Sequence, residues 1–331
     1  MEERQLLELD FKSNNNWFLN NLIYNRAFSL ALLTILISIL MSVFFPRAFF
    51  SLNNLASILL SLASIGFLTI GMMLLIISGS FDLSVGANLA LGAAVAAYIM
   101  NKFIAIPVPL AMIAGISASA LAGFMNGIIV SKIKIDALIG TFATTWIIRT
   151  VVTYLAGNGI IGLPKTFLAF GQTVFFRFRL PVYYLIILVI IFTFLTSNIK
   201  YLRQLYFIGG NERDAKLSGI NVDNVRIISF VIMGALAGFA GICLSARLNT
   251  ATSNMGLGIE LQVITAVIIG GGSIKGGRGT IIGAFMGAIF IAIVQNASII
   301  VGVSSYAQGI VVGVILIAAV SVDAVLLRRF G

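Results

Sequence analysis

Eleven polar or amphipathic residues stand in otherwise apolar stretches of this chain: Asp82, Ser84, Asn88, Asn126, Thr144, Trp146, Glu260, Gln262, Gln295, Asn296 and Gln308. Polar groups are costly to hold in a membrane, which makes such residues candidates for a solute pathway. A neutral polyol would want amides, hydroxyls and a stacking aromatic, and a conduit must bind weakly enough to let its cargo leave. Hydrogen bonding between helices accounts for the amides equally well, and Asp82 suits the cap of a helix opening at Leu83 or Ser84. Asp82, Ser84, Asn88, Asn126, Trp146, Glu260, Gln262 and Asn296 are taken as the pathway candidates.

The equipment for catalysis is missing. The chain has no histidine and a single cysteine, Cys243, which excludes zinc hydrolysis and a histidine-activated nucleophile. No metal site is expected. Lys275 is followed by Gly276 rather than Ser or Thr, so the glycine-rich run 270–279 is not a phosphate-binding loop. The chain therefore does not hydrolyse ATP itself, and no cofactor is expected in it. Cys243, beside Gly241 in an apolar run, reads as a small buried residue.

One stretch cannot lie in lipid. YLRQLYFIGGNERDAKLSGINVDNVR, residues 201–226, is the longest markedly charged segment. Each of its charges would cost roughly 2.5–3.5 kcal/mol at a bilayer centre. Asn211 is a good N-cap, Asp214 stands where a side chain can turn back to the cap's backbone N–H, and Gly219 suits the residue after a helix end. A short helix over Glu212–Ser218 is predicted. Its size suits a groove on a partner protein, and a solvated loop helix with no partner fits the same pattern.

The surroundings of these residues are membrane. Of 331 residues 60% are hydrophobic and 10% charged, with mean hydropathy +1.08, far from soluble composition. Measured against a span of about 20 residues, the fold class is all-α, a polytopic helical bundle with about ten spans. They run roughly over 27–45, 55–78, 84–100, 108–131, 136–156, 182–197, 225–246, 259–272, 279–298 and 307–327. The third, sixth and eighth are short. The chain divides into an N-terminal tail 1–26, a transmembrane domain 27–327 with its charged loop at 199–226, and a C-terminal tail 328–331. No cleavage pattern marks the N-terminus.

With the N-terminus inside, 14 of the 21 Lys and Arg fall in cytoplasmic segments and 6 outside, leaving Arg149 within a span. That bias places both termini in the cytoplasm, and it explains the net charge of +10 through anionic lipid rather than nucleic acid. The longest outer excursion, 157–181, mixes aromatic and basic residues suited to lying at the interface, and the same mixture suits the seat of an external partner.

A weak internal repeat sets LLIISGSFDLSVG (74–86) on VIIGGGSIKGGRG (267–279), pairing Gly79 with Gly272 and Ser80 with Ser273. Glycine-broken apolar segments in two halves of a chain point to discontinuous helices along a transport path. The small-residue runs GALAGFAG (234–241) and GAFMGA (283–288) should let helix backbones approach closely.

Four motifs together carry a resemblance: GMMLLIISGSFDLSVGANLAL (71–91), IGGNERDAKLSGINV (208–222), GIELQVITAVIIGGGSIKGGRGTIIGA (258–284) and VGVSSYAQGIVV (301–312). From about Asn54 to Asp323 the chain resembles the ribose-type permease subunits of bacterial ATP-binding-cassette (ABC) sugar importers. Ser80, Phe81, Arg213 and Asp214 depart from that family's usual pattern. The resemblance implies that Asn211, Glu212, Arg213, Asp214, Ala215, Lys216, Leu217, Ser218 and Gly219 form the coupling helix that docks on the ATPase.

It further implies a bacterial inner-membrane assembly. Its partners would be ATP-binding-cassette ATPase subunits holding ATP and Mg, an extracytoplasmic solute-binding protein, and a second permease copy or a sister permease. The cargo would be a monosaccharide, ribose or another pentose before galactose, xylose, a nucleoside, autoinducer-2 or a branched-chain amino acid. An ion-coupled secondary carrier is the competing class, with Asp82, Glu260 or Asp323 as its coupling carboxylate.

Overall fold

A computed structural model describes residues 26–330, with side chains from Leu30 to Ser321 except those of Ser305, Tyr306 and Ala319. The N-terminal tail expected over 1–26 lies outside it apart from Arg26. Among the described residues there are fourteen helices and four two-residue strands.

The helices are α1 (Arg26–Phe44), α2 (Pro46–Phe49), α3 (Leu52–Ile77), α4 (Val85–Lys102), α5 (Val108–Ser131), α6 (Ala137–Ala156) and α7 (Lys165–Gln172). Then follow α8 (Leu180–Asn198), α9 (Lys200–Gly210), α10 (Glu212–Leu217), α11 (Val222–Leu248), α12 (Ile259–Ile269), α13 (Ile281–Ile300) and α14 (Ser305–Phe330). Each of the ten expected spans meets one of them. Six, α3, α5, α6, α8, α11 and α13, are long and apolar enough to cross a bilayer. The eighth span is short as expected, since α12 has 11 residues and at 1.5 Å per residue reaches about half of the hydrocarbon core. The sixth is not. Its helix takes in Leu180 and Pro181, because a proline is tolerated in the first turn, where its missing N–H has no partner to lose.

The core lies around α3 and α11. Phe67 of α3 meets Phe239 of α11 edge to face at 5.1 Å, and α3 is buried almost continuously from Leu62 to Ile77. Gly234 and Gly238 of α11 rest on the Ser119 region of α5, and Gly241 rests on the Leu89 carbonyl of α4. On the other side Gly283 and Gly287 of α13 face the Gly270 and Ala266 carbonyls at the end of α12. Both small-residue runs therefore do the packing their composition foretells.

The outer excursion is more structured than its composition suggests. β1 (Ile160–Ile161) pairs antiparallel with β4 (Thr250–Ala251), while β2 (Val174–Phe175) and β3 (Phe178–Arg179) make a hairpin. Phe176 and Arg177 form its turn at φ 39° and 76°. Positive φ at both central residues is the twist that a two-residue hairpin requires.

The repeat is real in shape and shifted by one residue in register. The Gly79 N–H bonds the Ile76 carbonyl and the Ser80 N–H bonds that of Leu75; the Gly271 and Gly272 N–H groups repeat the pattern on Ile268 and Val267. Gly79 and Gly271 are the left-handed residues, at φ 74° and 97°. These helix ends therefore pair Gly79 with Gly271, not Gly272, because the left-handed position after the helix decides the equivalence. In both halves a helix stops, the chain crosses a short break, and a new helix begins.

Candidate functional site

Four inter-helix segments meet at one end of the bundle. The Gly277 N–H donates to the Ile77 carbonyl at 2.9 Å, joining the two glycine breaks. The Tyr206 hydroxyl of α9 donates to the Gly279 carbonyl at 3.0 Å. Lys134 pairs with Asp223 at 2.6 Å, bringing in the α5–α6 turn. α9 is amphipathic, with Leu202, Leu205 and Ile208 buried, and its Gly209 lies directly on the Ile77 carbonyl and the Gly277 N–H.

On this platform stands α10. The Asn211 carboxamide oxygen accepts from the N–H groups of Arg213 and Asp214, as its N-cap role predicts. The Asp214 carboxylate does not reach back to the cap's backbone; it accepts from the Asn211 side-chain amide at 2.8 Å. The backbone N–H of Asn211 is already taken by the Phe207 carbonyl, because α9 runs straight into the cap. The helix closes one residue earlier than expected, with Ser218 as C-cap and Gly219 at φ 78°. Only Ala215 is buried, whereas Leu217 is 80% exposed. A groove of about 410 Å³ beside α10 is lined by residues of α9, among them Lys200, Arg203 and Phe207, and by Ser218–Ile220.

The charged segment is not wholly in water. α11 begins at Val222, so the end of the expected loop 199–226 is helical, and Arg226 is buried. Its guanidinium donates to Glu212 Oε2 at 2.9 Å and to the Ser78 carbonyl at 3.3 Å. Arg226 thereby ties α10 to the end of α3, where the first break starts. Glu212 also accepts from Lys216 at 2.6 Å. That hydrogen bond, seconded by Arg226, holds the Glu212 carboxyl down at about 2 against the opposing effect of partial burial.

Four pathway candidates come together in one enclosed cluster. Asp82, Ser84, Asn88 and Asn126 are each 1% exposed or less. Asp82 Oδ1 accepts from the Ser84 N–H at 2.7 Å and hydroxyl at 2.6 Å, and Asn126 donates to Ser84 Oγ at 2.7 Å. The helix that follows opens at Val85, one to two residues later than expected, with Ser84 as its N-cap and no side-chain cap bond; Asp82 does not cap it, because its carboxylate is taken by Ser84 ahead of the first turn. The Leu83 N–H donates to Thr141 of α6, so the first break is pinned to α5 and α6 together. Asp82 Oδ2, Asn88 Oδ1 and Asn126 Oδ1 have no partner among the described residues.

The other candidates lie apart. Trp146 is exposed and stacks edge to face on Phe142 at 6.5 Å. Asn296 exchanges both amide hydrogen bonds with Asn54 across α13 and α3, at 2.7 and 3.1 Å. Glu260 and Gln262 are half-buried on α12. Thr144 is buried and bonds its own helix, Gln295 and Gln308 are half-buried, and the side chain of Asp323 lies outside the described part. Arg149, Arg226, Thr141 and Asn54 escaped sequence reasoning. Arg149 alone left a signal, as the one basic residue away from the ends of an expected span. Its guanidinium donates to the Ser253 and Met255 carbonyls at 2.5 and 2.7 Å, holding the loop that leads into α12. Cys243 is buried, as expected.

A family model described as branched-chain amino acid transport system / permease component matches residues 54–320. The chain belongs to this permease family. Among curated relatives, this permease is 37% identical over 300 residues to the ribose import permease protein RbsC of Escherichia coli (strain K12), covering 89% of this chain and 92% of the relative. The protein of the same name from Bacillus subtilis (strain 168) is 35% identical over 297 residues, covering 89% and 90%. The L-arabinose transport system permease protein AraH of Escherichia coli (strain K12) is 33% identical over 283 residues, covering 85% of each. No solved structure matches the permease. It is a multi-pass helical membrane protein and a transport subunit.

Proposed function

We propose that this chain is the membrane subunit of an ABC importer for a monosaccharide, ribose or another pentose, driven by a separate ATPase that docks on α10. The observation that carries the reading is α10 itself. It is fully capped and exposed, and it stands where both glycine breaks meet, in a chain with no phosphate-binding loop of its own. A motor needs such a handle. Nucleotide-driven movement of α10 biases the bundle only insofar as it favours one of two arrangements.

In this reading the α10 end and both termini face the cytoplasm. An extracytoplasmic solute-binding protein delivers cargo at the opposite end, and a second copy or a sister subunit completes the membrane domain. The two relatives named for ribose, at 37% and 35% identity, support a pentose. The Asp82, Ser84, Asn88 and Asn126 cluster, with Trp146, Glu260, Gln262 and Asn296, supplies the candidates for the route.

The test is copurification. C-terminally tagged protein, extracted gently from its native membrane, should bring down an ATP-binding subunit. Gly219→Arg should deplete that subunit severalfold at equal membrane level. Nothing lies within 4 Å of a Cβ at Gly219, so the variant strains only the left-handed backbone, by about 1–2 kcal/mol, and puts a bulky cation beside the docking face. A stable protein that yields no ATPase even after crosslinking overturns the importer reading in favour of an ion-coupled carrier, with Asp82, Glu260 and Asp323 as the carboxylates to mutate. Uptake competition among ribose, galactose, xylose, a nucleoside and autoinducer-2 then tests the cargo.

A further inference from the structure

At the end of α3 opposite to α10 a pocket of about 370 Å³ is lined by Arg177, Arg179 and Arg247, with Asn53 and Ser57 from the first turns of α3. None of the three arginines has a carboxylate partner among the described residues. None is within reach in sequence either, since residues 137–211 and 224–259 contain no Asp or Glu. Three guanidiniums thus line one pocket with no carboxylate of the chain's own beside them, and the positive end of α3 is offset there by the negative end of α11, so the site's positive charge is that of the arginines.

The arginines are held in place rather than left on a free loop. The two-residue turn fixes Arg177. The Tyr183 hydroxyl of α8 donates to the Phe175 carbonyl at 2.6 Å, and the Leu180 N–H bonds the Thr173 carbonyl, closing the hairpin's base. Arg247 sits in the last turn of α11.

The rest of the lining is apolar: Ala56, Leu60, Val174 and Leu248. Beside it Phe175 and Phe176 stand out at 53% and 81% exposure. Exposed aromatic rings at the end of a spanning bundle belong to the level of lipid headgroups. The lining thus joins cations and two small polar side chains, Asn53 and Ser57, to an apolar strip of Ala56, Leu60, Val174 and Leu248, which matches a phosphate with its glycerol and the first methylenes attached.

We propose that this pocket is a binding site for the phosphate of an anionic phospholipid, held by Arg177, Arg179 and Arg247. The inference needs only that the bundle spans a membrane and stands apart from the transport reading. Arginine suits the task because its planar fork meets phosphate oxygens in pairs. Binding should weaken with salt, because the arginines at the hairpin are open to water.

The test uses the full-length protein in a neutral detergent, titrated with short-chain phosphatidylglycerol, short-chain phosphatidylcholine and inorganic phosphate. Bound lipid is counted by native mass spectrometry and thermal stability is followed in parallel. Phosphatidylglycerol should bind at one site and raise the melting temperature, and phosphatidylcholine should do neither. Arg177→Gln, at the exposed hairpin turn, should weaken binding about tenfold, and Arg177→Gln/Arg179→Gln/Arg247→Gln should abolish it. Equal binding of the two lipids, or phosphatidylglycerol binding that survives in the triple variant, overturns the proposal. Stabilisation by inorganic phosphate equal to that by phosphatidylglycerol overturns it in favour of a free-anion site. If the variants keep phosphatidylglycerol and instead lose affinity for a soluble binding protein, the pocket is a protein-docking surface. Should the triple variant not fold, Arg177→Gln alone decides.

Discussion

Arg226 is the charge that the composition of its segment misplaces. A run as charged as 201–226 reads as solvated, yet this residue is 8% exposed, with Nη2 donating to Glu212 and to the Ser78 carbonyl and Nε without a partner among the described residues. Arg226→Gln leaves α10 attached to the body through Ala215 and the chain itself. The lost ion pair amounts to about 1 kcal/mol, because its Glu212 end is open to water. Transport per ATP hydrolysed should therefore fall several-fold while the ATPase still copurifies; an unchanged ratio removes Arg226 from the coupling path. Glu212 adds a pH dependence. Its carboxyl titrates at about 2 in the folded protein and near 4.5 otherwise, through Lys216 first and Arg226 second. Depression of an acid's pKa means that the unfolded form binds more protons between those values. The stabilisation of α10 is complete above about pH 4.5 and is lost as pH falls through about 2. Hydrogen exchange of the 212–217 amides, corrected for intrinsic rate, should be flat from pH 7 to 5 and rise below; in Glu212→Gln the acid dependence should vanish.

Elements differ in how far they can be read in advance. The long helices were legible because a run of about 20 apolar residues has few other fates, and α10 was legible because Asn211 and Gly219 carry their meaning locally, whereas the role expected of Asp214 failed because α9 already occupies the cap's N–H. α9 was not: it is amphipathic and charged, and only its docking on the two breaks makes Leu202, Leu205 and Ile208 a buried face. Nor was the loop before α12, whose shape depends on Arg149, more than a hundred residues distant. The close helix crossings fall between these cases, since Gly-rich runs announce a close approach without naming the partner. Gly241 illustrates the consequence. It has no room for a Cβ against the Leu89 carbonyl of α4, so Gly241→Ala must push α4 and α11 apart. The expected loss is about 1–3 kcal/mol, read as a lower melting temperature in detergent. Gly313→Ala, where nothing lies within 4 Å, serves as the comparison and should not lower it. Equal behaviour of the two would mean that the α4–α11 seam is looser than its geometry.

The whole molecule has two unlike ends, and their difference makes its orientation testable. At one end are α10, the four acidic residues Asp136, Glu212, Asp214 and Asp223, and the meeting of the two glycine breaks. At the other are the β2–β3 hairpin and the arginine pocket, with no acidic residue in the chain nearby. α3 joins them, running 26 residues from Leu52, next to Asn53 at the pocket, to Ile77 beneath Gly209. At 1.5 Å per residue this is about 39 Å, enough to cross the hydrocarbon core with its ends in the two interfaces. The single native cysteine is buried between helices, so it should stay silent toward a membrane-impermeant thiol reagent. Leu217 at 80% exposure and Phe176 at 81% are sites where an introduced cysteine faces water or headgroups, at the cost in the second of one edge-to-face contact with Phe175 at the hairpin turn. In intact cells Phe176→Cys should react and Leu217→Cys should not, and both should react once the membrane is opened. The reverse pattern would put α10 outside, away from any cytoplasmic ATPase, and would end the importer reading together with the expected cytoplasmic termini. Labelling of both in intact cells would mean that the two ends share one face, which a bundle threaded by α3 does not permit.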